Sequence, residues 1–474
     1  SEKKEHYRSA GRLDLFAAEL SVGGNLTVTN GASIYVYPGE DVSNLAINGD
    51  LNLNLNSIFT YHATPTNGVN DTNNGGLLTV SGKLELSNNS WLYPVSDWTN
   101  GASIFMEADS LIVNATAGIN ANACGYGNDK SDTYKSTNYG PGRGGYSYGG
   151  AGYGGRGGSS IGGAPYGSVE HPNQPGSAGA DEAASGGNGG GLIHLTVTQG
   201  ATINGTITAN GESGLLNNTN RRSGSGSGGG IYLSCNWLAG SGGVVSADGG
   251  KAANSSSSTR SGGGGGGRIA VIYDTVAQDA LPLPDISFSA KGGRATYIPM
   301  YNRDDMDGDL GTLYFPDSRL LRNPVNHSGV WMAPGFDHNW VVDNLLVEDH
   351  WLRLPSSGQR VEATESVTIA AGGRLDLVNG ELISNSPLII TNRGTLTLFA
   401  DAPNGPAPYL KVESNLSISS NSFLNVYAAP TNGIAECGAT VDISGALTLD
   451  NASWVWPFSN TTNSGSPRFY IGSL

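Results

Sequence analysis

Apolar and polar residues alternate in short runs along most of the chain, and each run is closed by Asn, Gly or Ser. Examples are Asn25-Leu-Thr-Val-Thr29, Asp50-Leu-Asn-Leu-Asn-Leu55, Lys83-Leu-Glu-Leu86, Ile193-His-Leu-Thr-Val197, Arg268-Ile-Ala-Val-Ile-Tyr273, Arg374-Leu-Asp-Leu377, Thr395-Leu-Thr-Leu398 and Asn415-Leu-Ser-Ile418. A period of two over about four to six residues predicts short β-strands with one apolar face. Helical spacing is nearly absent. Leu13 to Leu20 (LDLFAAEL) is the one stretch that reads as a short helix, at a place where a solenoid needs a cap over its first coil.

Strands this short could build a sandwich, a propeller or a stacked coil, and the internal repeats choose among them. Val80-Ser-Gly-Lys-Leu-Glu-Leu-Ser-Asn-Asn-Ser-Trp-Leu-Tyr-Pro94 returns as Ile443-Ser-Gly-Ala-Leu-Thr-Leu-Asp-Asn-Ala-Ser-Trp-Val-Trp-Pro457, an offset of 363 (445 minus 82). Val22 to Gly31 and Ala371 to Gly380 share a Gly-x-Leu-x-Leu/Val-x-Asn-Gly rung in the same way. A rung with one apolar face cannot bury it alone, and stacking rungs closes a continuous core. The expected fold is all-β: a right-handed parallel β-helix, or solenoid, of roughly a dozen coils with glycine-rich flanking insertions, about 60 Å long at the spacing of stacked strands. The expected divisions are an N-terminal cap or arm over 1–20, coils over 21–138, a glycine-rich section over 139–315, and coils resembling 21–111 over 316–474. Gly472-Ser-Leu474 stop where Asp109-Ser-Leu111 run on into the next rung, so the last face reads as unfinished. Head-to-tail association or a longer array would each complete it.

Glycine tracts begin at Gly186, Gly224 and Gly262, each 38 residues after the last (224 minus 186, 262 minus 224), and each leads straight into a strand. Thr208-Ala-Asn-Gly211, Ser246-Ala-Asp-Gly-Gly250 and Ser289-Ala-Lys-Gly-Gly293 close the coils between them. Fixed spacing favours tracts stacked flank to flank as extended glycine helices over a flexible linker, because a Cβ would block close approach of the backbones. Tyr166-Gly-Ser168, Pro172 with Pro175, the runs Gly186 to Leu195, Gly224 to Leu233 and Gly262 to Tyr273, and Gly311-Thr-Leu-Tyr314 together resemble a glycine-rich parallel β-helix module of large secreted or surface adhesin-like proteins. The resemblance covers about residues 140–315. It implies an extracellular structural or adhesive role and brings no catalytic residue.

Composition narrows the partners. A net charge of -15 leaves no basic patch for nucleic acid, and no apolar run is long enough to span a bilayer, so neither nucleic-acid binding nor membrane insertion is expected. Only 14% of residues are charged, so the surface is made polar by Asn, Ser and Thr, as in secreted repeat proteins. Three cysteines, at 124, 235 and 437, fit no disulfide framework or zinc cluster and read as small buried side chains, with a Cys124–Cys235 bridge as the alternative. Asn25, Asn88, Asn114 and Asn415 are among eleven Asn-x-Ser/Thr triplets open to glycosylation.

Few residues offer chemistry. Asp305, Asp307 and Asp309 alternate as in a calcium turn, although Leu310 and Pro316 stand where an EF-hand needs Gly and Glu; a looser calcium turn and a solvated acidic loop both fit. No glycine tract ends in the Gly-Lys-Ser/Thr of a phosphate loop. Glu348, Asp349, His350 and Arg353, with Asp337, His338 and Asp343 upstream and Trp331, Trp340 and Trp351 nearby, are the set from which a polysaccharide lyase or glycosidase would be built. The same polar residues read first as a strand's solvent face and the turn before it. His194, in an apolar strand, reads as a packed core residue. Trp91 with Tyr93, and Trp454 with Trp456, alternate on strand faces and suit either a sugar-binding ledge or packing at a coil corner. The sequence thus points to a secreted, non-enzymatic structural or adhesive solenoid assembling end to end into fibres or a surface layer. The alternative is a polysaccharide-active or carbohydrate-binding β-helix.

Overall fold

The computed structural model describes residues 11–474 except 17–19, 40–42, 66–73, 130–136, 147, 182–185, 216–222, 253–260, 295–305, 335–338, 356–358, 401–406, 429–437, 451 and 460–464. The chain divides into two compact units, Ser1–Pro316 and Asp317–Leu474. Both are built from parallel strands, the arrangement of a β-helix or solenoid.

In the first unit each circuit of the chain adds one strand to each of three parallel ladders. One ladder runs through Arg12–Phe16, Ser33–Tyr37, Ile58–His62 and Trp91–Val95 and on to Asp285–Ser289, eight strands in all. A second runs from Leu20–Val22 through Ser43–Ile47 to Arg268–Ile272 and Thr312–Tyr314. A third starts at Leu26–Val28 and ends at Trp237–Ala239. Register puts like on like, so the inward positions form columns: Leu45, Leu78 and Met106 share one, Leu51, Leu84 and Leu111 another, all at most 3% exposed.

The described residues of Leu13 to Leu20 form no helix. Arg12–Phe16 and Leu20–Val22 are strands, because Leu13 and Leu15 alternate with Arg12, Asp14 and Phe16 at the period of two that a parallel neighbour can register. The helix that does occur among the described residues, Thr275–Asp279, stands where the next strand of the third ladder would lie. Asp274 caps it, accepting the N–H groups of Val276 and Ala277 at 2.8 and 2.9 Å. Its buried Gln278 ends the ladder: the side-chain amide accepts from Leu238 N–H at 2.8 Å and donates to Leu238 C=O at 2.9 Å, as a peptide group of a further strand would.

Corners are built by side-chain relays and left-handed turns. Asn25 Oδ1 accepts from Asp50 N–H, and Asp50 Oδ1 from Lys83 N–H, both at 2.8 Å. At another corner Asn122, Asn210 and Asp248 each accept from the next coil's backbone, ending on Lys291 N–H, all at 2.7 Å. Pairs with positive φ, such as Leu55-Asn56 and Asn88-Asn89, turn the chain between the third ladder and the first. Both cysteines described, Cys124 and Cys235, are free, and burial raises their thiols to about 11 and about 12.

The glycine tracts lie beside the coils as extended segments bonded in three directions. The N–H groups of Gly262 and Gly265 go to the carbonyls of Tyr148 and Ala151, those of Gly263 and Gly266 to Met306 and Asp309, and those of Gly264 and Gly267 to Gly250 and Ala247. Gly224 and Ser227 bond in the same way to Ala180 and Ser177, Ser225 and Gly228 to Gly262 and Gly265, and Gly226 and Gly229 to Glu212 and Ala209. Every third residue meets the same neighbour, the geometry of a helix with about three residues per turn and no internal hydrogen bonds. Ordering a backbone costs about 1–2 kcal/mol per residue, and one bond per N–H at about 0.5–1.5 kcal/mol offsets much of that. The expected stacking of the tracts is what the described residues show.

The second unit repeats the three-ladder plan. One ladder joins Gly329–Met332, Trp351–Leu354, Arg374–Val378, Thr395–Phe399, Phe423–Tyr427 and Trp454–Phe458. The other two share the long strands Asn339–Glu348, Arg360–Ala370 and Thr440–Leu449. The long repeat is structurally equivalent in the two units: Asn415 Oδ1 accepts from Ala446 N–H at 2.9 Å, as Asp50 does from Lys83, and Trp91 and Trp454 open the same kind of strand. The shorter one is not. Leu26–Val28 precedes the left-handed turn at Asn30-Gly31, whereas Arg374–Val378 follows the equivalent turn at Ala371-Gly372, so the shared rung falls on different sides of the coil.

Two outcomes test this plan. A Cβ at Gly264 would overlap the Gly226 carbonyl, whereas one at Gly23 meets nothing within 4 Å. Gly264→Ala is therefore expected to destabilise the first unit by about 1–3 kcal/mol in denaturant titration, and Gly23→Ala to stay within about 0.5 kcal/mol of the parent. Gln278→Leu leaves both polar groups of Leu238 without their present partner and is expected to cost about 1–3 kcal/mol, with faster amide exchange at Leu238.

Candidate functional site

Parallel register places identical positions of successive coils about 4.8 Å apart, which is the stacking distance of flat rings. The outward faces exploit this. In the first unit Phe16 stacks on Tyr37 at 4.8 Å, and Tyr37 on His62 at 5.6 Å. On the second ladder Phe105, His194 and Tyr232 stack at 4.3 and 4.6 Å, and His171 lies against Tyr232 at 5.6 Å. In the second unit Phe399, Tyr427 and Phe458 stack at 5.0 and 4.2 Å, and Phe423 stacks on Trp454 at 5.1 Å.

His194 is therefore not a core residue. Ile193, Leu195 and Val197 take the inward positions and turn His194 outward between two rings. Enclosure by those neighbours, and then the nearby His171, lower its pKa from 6.5 to about 4.

Of the tryptophans, Trp454 and Trp456 stand with Phe458 on the outward face of Trp454–Phe458, 39%, 46% and 37% exposed. Trp456 and Phe458 lie side by side, 6.4 Å apart and 20° from coplanar, and form a flat apolar platform. Phe458 was not foreseen, although its place two residues beyond Trp456 is the signal. Trp91 and Tyr93 share the matching face in the first unit but are partly buried, with Trp91 lying over Gly118, where a Cβ would meet its ring.

The residues considered for polysaccharide cleavage do not converge. Trp331 is 1% exposed in the core. Glu348 ends a strand, Asp349 takes the left-handed turn at φ 53, and His350 Nδ1 lies 2.7 Å from Glu348 C=O. Asp343 is exposed and accepts from Thr364. Asp337 and His338 lie outside the described residues. Trp351 and Arg353 instead close on a carboxylate from the next coil: Trp351 Nε1 donates to Asp376 Oδ2 at 2.7 Å, Arg353 Nε at 3.1 Å, and the Arg374 guanidinium sits 4.5 Å over the Trp351 ring. Asp376 is 3% exposed, so this cluster is a clamp between coils with no open position for substrate.

Asp307 and Asp309 belong to the last extended tract, where Asp309 Oδ1 accepts Leu310 N–H at 2.8 Å; Asp305 lies outside the described residues. Among the described residues no three His, Cys, Asp or Glu side chains gather as a metal site. Of the glycosylation candidates, Asn88 and Asn114 commit their Nδ2 groups to Asn54 and Glu85, while Asn25 and Asn415 turn their amide oxygens to the next coil.

No family model, curated protein or solved structure matches the chain.

His194 supplies a pH test. The unfolded chain takes up a proton near pH 6.5, whereas the folded chain keeps His194 neutral down to about pH 4. The unfolded state binds more protons in that window, so stability is expected to fall as pH drops from about 6.5 to about 4. His194→Phe preserves the ring stack and is expected to flatten part of the fall, read as melting temperature against pH. The remainder belongs to groups such as buried His327, whose pKa is also pushed down to about 4.

Proposed function

We propose that this chain is an extracellular structural or adhesive protein, a right-handed parallel β-helix of the glycine-rich adhesin-like kind, that assembles end to end. The handedness follows the sense in which parallel crossovers run almost without exception. The observation that carries the functional reading is the coil-on-coil stacking itself: strand lies on strand in parallel register and glycine tract on glycine tract, so that each coil offers the next a row of backbone partners. End-to-end association extends the same kind of contact to a second copy. Only 14% of the chain's residues are charged, and the outward faces are laddered, which suits a scaffold.

A second reading has one observation in its favour: the near-coplanar Trp456 and Phe458 offer the flat face on which a sugar ring stacks. Sedimentation velocity and negative-stain electron microscopy of the purified chain separate the two. Concentration-dependent rods are expected. A monomer at every concentration that is retained on a polysaccharide column, and loses retention in Trp456→Ala, would favour the second.

A further inference from the structure

One outward column of the second ladder has a gap in it. Phe105, His194, Tyr232, Ala270 and Tyr314 follow one another in register, and among them Ala270 alone brings no ring. The place beside it is filled from outside the ladder. His171 stacks on Tyr232 at 5.6 Å and 27° from coplanar, while His194 stacks on the same ring at 4.6 Å, so Tyr232 is held between two imidazoles. The neighbouring column is also cleared. Gly230 lies between Leu192 and Arg268, and a Cβ there would meet the Gln174 carbonyl at 2.7 Å.

Both visitors come from one loop. Residues 164–175 close on themselves where the Tyr166 hydroxyl donates to Pro175 C=O at 2.5 Å, which makes them a compact Ω-loop lying across the ladder as a strap. Few contacts pin the strap down. Arg268 Nε donates to Tyr166 C=O at 2.7 Å, the Tyr166 ring packs on Tyr153 at 4.6 Å, Tyr166 N–H donates to Tyr153 C=O at 2.9 Å, and His171 stacks on Tyr232. With the strap in place Arg268 is 6% exposed.

We propose that the strap is an acid-released latch: protonation of His194 frees residues 164–175 from the second ladder. The coupling runs through Tyr232. Because Ala270 offers no ring, lifting His171 leaves Tyr232 stacked on one face only, free to turn aside and admit water to His194. In the open form His194 takes up its proton near the ordinary 6.5, and in the closed form near 4, where burial and then the nearby His171 hold it. Between those values the open form binds more protons, so each unit of falling pH favours opening by up to about tenfold. The other titratable and charged groups facing this column are Glu107 on the strand of Phe105, Arg268 and Tyr314 on the strands after Tyr232, and Glu170 on the strap, which with burial raises the Tyr314 phenol. Protonated His194 and His171 would join Arg268 as a cluster of three cations against two carboxylates. Release bares the Arg268 guanidinium and the Tyr153 ring on a chain whose net charge is -15.

Hydrogen exchange of the full chain between pH 4 and pH 7, corrected for the intrinsic rate at each pH, tests the latch. Peptides covering 164–175 are expected to lose protection steadily from about pH 6.5 to about pH 4, while those covering Leu192–Val197 and Gly230–Ser234 hold theirs. His194→Phe keeps a ring in the column and is expected to flatten the pH dependence of the strap without lowering its protection at pH 7. His171→Ala removes the ring over Ala270 and is expected to lower strap protection about fivefold at pH 7, with the strands unchanged. Strap protection that is constant with pH, that falls in step with the two strands, or that keeps its slope in His194→Phe would overturn the latch, as would a His171→Ala strap protected like the parent's.

Discussion

Hydrogen bonds running from each coil to the next are the interaction on which everything else here depends. A short strand with one apolar face has no stability of its own; it exists because the strand before it offers a row of N–H and C=O groups at the right spacing. The same axial bond appears in several forms. Strands make it between backbones, Asn25, Asp50, Asn122, Asn210 and Asp248 make it from side-chain oxygens at corners, and the glycine tracts make it in three directions at once. Because the spacing is common to all of them, outward side chains fall into register as well, and aromatic residues placed on one coil after another become stacked columns.

The all-β character, the stacking of rungs and the ordering of the glycine tracts were legible in the sequence, since each rests on a short-range periodicity: two for strands, thirty-eight for the tracts. What was not legible depended on neighbours distant in sequence. Leu13 to Leu20 has an apolar spacing that suits a helix, and only the parallel partner Ser33–Tyr37 makes Arg12–Phe16 a strand. The helix at Thr275–Asp279 announces itself weakly, through the capping Asp274. Its reason for being there, the buried contact of Gln278 with Leu238, spans 40 residues. The Asn-Gly rung misled for a related cause, since the same local pattern serves two sides of the coil.

The outward residues were half legible. Alternation placed Trp454 and Trp456 on one face, but the same alternation placed Trp91 and Tyr93 there, and it could not tell which pair would be covered by a following coil. His194 was misplaced because its flanking Ile193 and Leu195 suggested a wholly buried strand; in a solenoid only one face of each strand is buried, and period two assigns His194 to the other.

Gln278 shows that a single primary amide can stand in for a strand's peptide group at the end of a ladder. In the first unit it halts one ladder at Trp237–Ala239 while the other two run on to Asp285–Ser289 and Thr312–Tyr314. The sides of such a coil are thus independent in length. Evolution can trim or extend one wall without rewriting the others, much as a knitted panel is narrowed by casting off stitches on one side only.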